Sequence, residues 1–242
     1  MANDFSRIGF KVGSDEDLKR LYSECGSQLD RTETVEGTAE VLCPDDMAEL
    51  WFYGLPGEEV QPALCEPSLR TKVSHKVRSN GLFRCKESPN PVRELMFRSY
   101  RGEFKLPMLL LNHLENPLRG EGPCQAKPVL FAQTLQVYAD REDFLANQPG
   151  NTDCPSVIPW MDLARRDVRE PMARMTGLTE NSELRVNPLT GLAYAVLTMN
   201  CFGFRFPVAA DFDQLDRMLP KPGSVLSGTF WICGTASGKE TE

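Results

Sequence analysis

The alternation of hydrophobic and polar residues predicts a chain of antiparallel β-strands with a few short helices. Apolar side chains alternate with polar or small ones over residues 8–12, the period of a half-buried strand. Ser14 then offers a helix N-cap, and apolar residues continue at helical spacing as far as Gly26. Two further alternating runs, residues 39–43 and 47–53, flank a turn and predict a hairpin. The chain is therefore predicted to open with a βαββ unit.

The middle of the chain continues this pattern less regularly. Short β-type runs extend over residues 73–111. A Pro- and Gly-rich stretch, residues 116–127, is followed by a strand and by Asp140 as a helix cap. This order repeats the opening of the chain, and the sequence leaves open whether the two halves arose by duplication. Residues 163–175 keep near-helical spacing up to Gly177 and predict a helix.

The last third has the clearest β pattern, with alternating runs separated by short turns and a capped helical turn at Asp211. The predicted fold class is α+β, predominantly antiparallel sheet, with the N-terminal βαββ unit and a C-terminal β-meander or OB-like partial barrel. The predicted domains are residues 1–118, an α+β domain with a basic β segment, residues 126–236, a β-rich domain, and residues 237–242, a disordered tail.

Two segments carry a resemblance to known folds. The pattern from Ile8 to Tyr53 resembles the βαββ start of the vicinal-oxygen-chelate and ferredoxin-like folds. Enzymes of the former family hold metals with His and Glu at inward strand positions, where this chain has Ile8, Phe10 and Val12. The resemblance therefore implies a member without a metal. The final 50 residues look like part of a small OB-type barrel. Fold similarity of this kind does not transfer a function.

The distribution of charge is the most informative chemical feature. Residues 70–105 contain ten Lys and Arg against three Asp and Glu, although the whole chain has a net charge of −7. A segment of one sign repels itself unless it faces an acidic partner. That partner could be another protein, nucleic acid or the chain's own first 69 residues, which hold 15 acidic against 5 basic residues.

Four cationic residues are the candidate contacts for an anionic partner: Arg84, Arg98, Arg101 and Lys105. Arg84, Arg98 and Arg101 follow Phe83, Phe97 and Tyr100 in sequence, and such strands can bind a phosphate backbone while they stack bases. Two other interpretations use the same residues. The basic strands could form a solvated sheet face whose arginine stems cover apolar surface, or they could dock on the acidic N-terminal part of the chain.

Catalytic motifs are weak. His113 with Glu115 could line a pocket and act as a general base. Gly223 and Gly228 have the spacing of a phosphate loop, but Thr229 stands where that loop needs lysine. The carboxylates of residues 211–216 suit a helix cap better than a calcium loop. No metal site and no cofactor are predicted.

The eight cysteines are never closer than 18 residues, so the usual zinc spacing is absent. We expect free, mostly buried thiols rather than disulfides. The N-terminus lacks the pattern of a signal peptide, and no apolar run is long enough to span a bilayer. These features predict a cytoplasmic protein with no membrane segment.

The sequence leaves three functional hypotheses. The first is a non-catalytic binding or adaptor protein whose β surfaces engage a macromolecule. The predicted partner is another protein, with nucleic acid as the alternative partner of the basic segment. The second is an enzyme or small-ligand protein with a cleft between the two halves. The third is a structural or assembly subunit that uses its tryptophans, Trp51, Trp160 and Trp231. The sequence does not determine the oligomeric state.

Overall fold

Strands make up 56% of the protein and helices 13%. The computed structural model describes residues 4–54, 56–115, 120–148, 153–159 and 167–238. The sheets are largely antiparallel, with a few parallel pairs in the larger one. The predicted α+β class with mainly antiparallel strands is therefore confirmed.

The N-terminal helix forms where the sequence predicts it, whereas the strand before it does not form. The Ser14 hydroxyl accepts a hydrogen bond from the Asp17 amide at 3.3 Å and caps helix α1, Asp15–Cys25. Asp4–Ile8 is a 3-10 helix instead of part of a strand. Gly9 follows it with φ +75°, which interrupts any extended run. The apolar residues of this segment are buried nonetheless, which explains their strand-like alternation.

A four-stranded antiparallel sheet follows α1 in simple meander order. The predicted hairpin lies at its centre, and Asp45 fixes the turn because its Oδ1 accepts the amides of Met47 and Ala48 at 2.8 and 2.6 Å. The strands are β1 Leu29–Thr34, β2 Gly37–Leu42, β3 Ala48–Gly54 and β4 Gln61–Leu69.

The larger sheet has nine strands. A short helix, α2 Arg141–Asn147, interrupts the series; Asp140 caps it as predicted by accepting the amides of Glu142 and Asp143. The strands are β5 His75–Phe83, β6 Val92–Ser99, β7 Gly102–Leu110, β8 Gly122–Tyr138, β9 Ser156–Pro159, β10 Met172–Val186, β11 Ala193–Cys201, β12 Phe204–Asp211 and β13 Val225–Gly238.

The pairings of this sheet close on themselves around a central ribbon. The two long strands β8 and β13 pair antiparallel along almost their whole length. Strand β8 also pairs antiparallel with β5 and parallel with β12, and β13 pairs antiparallel with β10 and parallel with β7. The meanders β5–β6–β7 and β10–β11–β12 thus each connect one strand of the ribbon to the other.

The pattern of pairing is unchanged when β5–β8, the first unit, is exchanged with β10–β13, the second unit. The register shifts at Ser79/Gly81 in the first unit and at Thr179/Asn181 in the second, 100 residues apart. The same spacing relates Phe104-Lys105-Leu106-Pro107 in β7 to Phe204-Arg205-Phe206-Pro207 in β12. This repeat differs from the two strand–cap–helix openings that the sequence offered as a sign of duplication.

Two apolar cores hold these layers together. One lies inside the closed part of the large sheet and takes Leu106, Met108 and Leu110 from β7. The other takes Leu109 and Leu111 and joins the large sheet to the four-stranded sheet and α1. Because the second half of β7, from Leu106 onwards, is buried on both faces, its sequence is a continuous apolar run rather than an alternating one.

The predicted helix over residues 163–175 is wrong for its described part, because Met172–Val186 is strand β10. Ala173 and Met175 alternate inward there as buried strand residues. Gly177 does not end a helix: a Cβ at this position would lie 2.5 Å from the Asn200 carbonyl oxygen, so glycine permits close approach of β11. Leu163, Ala164 and Trp160 lie outside the described residues.

The predicted domain boundary, between residues 118 and 126, overlaps the start of β8, and the large sheet takes strands from both sides of it. The predicted tail overlaps the structure at Ser237 and Gly238, which belong to β13. In the part of the chain that the structure describes, no helix is long and apolar enough to cross a membrane.

Candidate binding surface

The four cationic residues predicted from sequence do not form one site. Arg98 and Lys105 lie on the outer face of the β5–β6–β7 meander, where Arg98 pairs with Glu103 and Lys105 with Glu94, both at 2.7 Å. Arg101 lies in the β6–β7 turn, and its guanidinium carbon is 5.7 Å from the centre of the Tyr100 ring. Arg84 lies beyond the end of β5 and pairs with Asp167 at 2.5 Å.

Two cations that the sequence analysis did not single out join Arg98 on this outer face. Lys76 and Arg78 are exposed on β5, and they alternate with the buried residues His75, Val77 and Ser79. Neither Lys76 nor Arg78 pairs with a carboxylate of the described residues. The alternation His-Lys-Val-Arg-Ser was the signal that could have identified them as the outward positions of a strand.

These residues line an open groove of about 510 Å³. The strand β5 forms one side, and the end of β6 with Phe204 from β12 forms the other. We call this feature the basic groove; its lining residues are Lys76, Val77, Arg78, Asn80, Met96, Arg98, Glu103 and Phe204. Three cations stand there against one carboxylate, so the groove is positive within an acidic chain.

The floor of the basic groove is an aromatic cluster shared by the two units. Phe204 packs edge-on against Phe97 at 5.0 Å and against His75 at 5.4 Å. His75 Nε2 lies 2.8 Å from the Arg205 carbonyl oxygen and so links β5 to β12. Burial lowers the pKa of His75, and the hydrogen bond to that carbonyl opposes the shift in part. The groove is therefore built on a packed floor.

The edge of β5 beside the basic groove is open. On the side of β6, pairing begins only at Arg78, so none of the described strands pairs with residues 75–77 there. In the second unit the corresponding edge of β10 is filled, because β9 pairs with Ala173–Thr176. Strand β9 therefore occupies in the second unit the position that the basic groove leaves empty in the first.

In the described part of the chain, a single ion pair joins the basic segment to the acidic N-terminal residues. Of its cations with a described carboxylate partner, Arg70 alone reaches the first 69 residues, through Glu49 at 3.1 Å. The others pair with Glu94, Glu103 and Asp167. The pairs Arg84–Asp167 and Arg98–Glu103 are exposed on both sides, and such pairs contribute only about 0.2–1 kcal/mol each, so they compete weakly with an external partner.

His113 and Glu115, the alternative pocket residues, lie in the turn after β7 without contacting each other. The His113 ring is 6.0 Å from the ring of Tyr53, and burial lowers the pKa of His113. Tyr53 is itself structural, because its hydroxyl donates to the Leu111 carbonyl at 3.1 Å. Glu115 is exposed and accepts a hydrogen bond from the Thr32 hydroxyl. The geometry does not join these groups into an acid–base pair.

The other motifs have structural roles. The Asp211 side chain and Gln214 form a capping box on the 3-10 helix Phe212–Leu215. Gly228 lies where β13 crosses β8, and a Cβ there would be 2.1 Å from the Thr134 carbonyl oxygen. Among the described residues, no group of three or more His, Cys, Asp or Glu is arranged to hold a metal ion.

All eight cysteines are free thiols, as predicted, and six of them are buried. Burial raises the pKa of the Cys201 thiol to about 12, so this thiol stays protonated and unreactive near neutral pH. Trp51 is buried and Trp231 packs against the same core. Of the two described tryptophans, Trp51 therefore belongs to the interior and Trp231 is partly buried against it.

Comparison with known proteins provides no relative. No protein-family model matches the chain, and neither the curated proteins nor the solved structures contain a significant match. Any functional conclusion therefore depends on the basic groove and its surroundings.

Proposed function

We propose that this protein is a binding or adaptor protein that engages an anionic macromolecule through the basic groove, without catalysing a reaction. The observation that carries the proposal is the position of Lys76 and Arg78, exposed on one strand and not paired with any described carboxylate. Cations that the fold neither buries nor neutralises remain available to a partner.

A comparison within the molecule supports this assignment. The positions in the second unit that correspond to Lys76 and Arg78, 100 residues later, are Thr176 and Leu178. The fold therefore forms with neutral residues at these positions. Since Lys76 and Arg78 are not needed for packing, their charge is better explained by binding.

The negative charge of the whole chain does not prevent such binding. At physiological ionic strength, charges more than about 8 Å apart are largely screened by salt. Glu103, the carboxylate that lines the basic groove, pairs with Arg98, and Glu94 and Glu180 pair with Lys105 and Arg205. A partner at the groove therefore meets mainly the local positive charge.

The test is a titration of fluorescently labelled polyglutamate and of labelled oligothymidylate at about 50 and 200 mM salt. We expect at least one polyanion to bind, and binding to weaken as salt rises. The double variant Lys76→Glu with Arg78→Glu should abolish it. The matched control is Arg174→Glu with Lys221→Glu, which reverses two exposed cations elsewhere that have no described carboxylate partner. Absence of binding, or equal effects of the two double variants, would overturn the proposal.

The free thiols support a reducing compartment, and we propose the cytoplasm as its location. The hypotheses of an enzyme with a cleft at His113 and of an assembly subunit stay predictions from the sequence, because no contact described above favours them.

A further inference from the structure

The structure contains its own example of how the basic groove can be filled. Strand β9 pairs antiparallel with β10, from Thr176 opposite Ser156 to Ala173 opposite Pro159. Strand β13 pairs with β10 from Met172 to Leu178 and so occupies one side of β10. Strand β9 must therefore lie on the other side, where β11 pairs with β10 from Leu178 onwards. Strand β5 has the same arrangement with β6 and β8, but no strand of the described residues stands beside its first residues as β9 stands beside β10.

We propose that the basic groove accepts an extended, acidic segment of a partner protein, which adds to the open edge of β5 as an antiparallel strand. This inference rests on the proposed function, since it identifies the partner of the same groove. Addition of a strand to a free sheet edge is a general mode of peptide recognition, in which main-chain hydrogen bonds give affinity and alternate side chains give specificity.

The side chains of β9 indicate what such a segment would present. Val157 pairs with Met175 and packs against the inner core, whereas Ile158 points outward and is 54% exposed. In the first unit, the corresponding inward residue would lie opposite His75 and face the aromatic floor. An apolar side chain suits that position.

The outward positions of the incoming strand would face different chemistry in the two units. In the second unit the Ser156 hydroxyl lies 2.9 Å from the Thr176 hydroxyl, a cross-strand pair of neutral groups. In the first unit the corresponding neighbour is Lys76, with Arg78 and Arg98 beside it. An acidic residue opposite a lysine is a favourable cross-strand pair, so the outward residues should be Asp or Glu.

The open edge also favours a polypeptide over nucleic acid. A nucleic acid can use the cations and the face of Phe204, but it has no main chain that can continue the pairing of β5. An extended acidic peptide can form ion pairs with the cations of the groove and main-chain hydrogen bonds with the open edge of β5 at the same time. An open strand edge can also pair with unwanted strands, and charged side chains on the edge prevent this. Strand β1, at the edge of the smaller sheet, carries such exposed charged residues: Asp30, Arg31 and Glu33.

The experiment compares three labelled probes on the full chain: a short peptide of alternating Glu and Val, the same peptide with N-methylated backbone amides, and oligothymidylate. N-methylation keeps the charge and side chains but removes the donors needed for strand pairing. We expect the unmodified peptide to bind at least ten-fold more tightly than the methylated one. Amide hydrogen exchange of residues 75–77 should slow when it binds.

Equal binding of the two peptides, or tighter binding of oligothymidylate, would overturn strand addition and leave the proposed function standing. Failure of all three probes and of polyglutamate would reject the proposed function as well. The variant Lys76→Glu with Arg78→Glu should weaken the unmodified peptide at least ten-fold relative to Arg174→Glu with Lys221→Glu. Thermal unfolding of both double variants checks that the fold is retained.

Discussion

The first and second units share their strand pairings and differ in charge. Residues 75–138 contain ten basic and five acidic residues, whereas residues 172–238 contain five of each. The neutral unit has its β10 edge covered by β9, whereas in the described part of the chain no strand covers the first residues of β5 in the basic unit. The strand pairings that the two units share therefore do not require an excess of basic residues. Basic residues accumulate in the unit whose edge is free, which is why we connect the two features.

The largest loss of stability is expected in the pairing of β8 with β13, on which both units depend. Gly228→Ala would place a Cβ 2.1 Å from the Thr134 carbonyl oxygen in the central ribbon. Backbone atoms cannot yield as a flexible side chain can, so we expect a loss of about 3 kcal/mol or more in the free energy of unfolding. Urea denaturation measures it. Gly26→Ala is the matched control, because nothing lies within 4 Å of its added Cβ.

A stable Gly228→Ala protein would show that the ribbon tolerates separation at this crossing. The pairing of β8 with β13 would then not be the rigid element that both meanders share, and the comparison of the two units would lose its structural basis.

A smaller loss of stability is expected when the packing of β9 is weakened, so that the β10 edge becomes less covered, like the β5 edge. Val157→Asp places a carboxylate where β9 packs against the inner core. We expect a loss of about 2 kcal/mol, because a charge without a partner is unfavourable at a partly buried position against an apolar core. Amide exchange of residues 173–176 should become faster. Ile158→Asp, on the outward and exposed side of the same strand, should change neither quantity. Equal effects of the two substitutions would contradict the inward role of Val157.

The sequence predicted most local elements because they depend on short-range patterns. The Ser14 and Asp140 caps, the hairpin around Asp45 and the strands of the last third all form. The strand at residues 8–12 does not, because positive φ at Gly9 and burial by distant residues override the alternation. The helix predicted up to Met175 fails because spacing alone cannot distinguish a twisted, bulged strand from a helix.

The candidate site was predicted only in part, for a topological reason. Arg98 and Lys105 do lie on the outer face of the β5–β6–β7 meander, but Arg84 lies beyond β5 and contacts Asp167. Charge density along the chain located the basic segment and gave no information about which strands become neighbours. Phe204 enters the groove from β12, more than 100 residues away, through a parallel pairing that no local pattern records.

A pH-dependent difference between the units is expected at His75, which corresponds to Met175. Burial lowers the pKa of folded His75 below the 6.5 of an unfolded histidine. As pH falls through 6.5, the unfolded chain takes up a proton that the folded chain resists, so stability decreases. His75→Met should remove this part of the loss. The measurement is urea denaturation at several pH values between neutrality and pH 5.

His113 also has a lowered pKa and stays in both proteins, so the informative quantity is the difference between their two pH curves. The strands around His75 carry the charged groups Lys76 and Arg78 on β5 and Arg98 on β6, and Arg205, whose carbonyl contacts His75, pairs with Glu180. Parallel pH curves for the wild type and the His75→Met variant would contradict the prediction.

The smallest change in stability is expected from Glu103→Gln, which sharpens the charge difference between the units. Glu103 pairs with Arg98 at 2.7 Å, and the arginine side chain is 84% exposed. Because water and salt screen an exposed pair, its loss should change the free energy of unfolding by less than about 0.5 kcal/mol. The basic groove, however, loses its one carboxylate. Polyglutamate should therefore bind a few-fold more tightly, and a titration at low salt would measure this. Weaker binding would mean that Glu103 holds Arg98 in the orientation that an anionic partner needs.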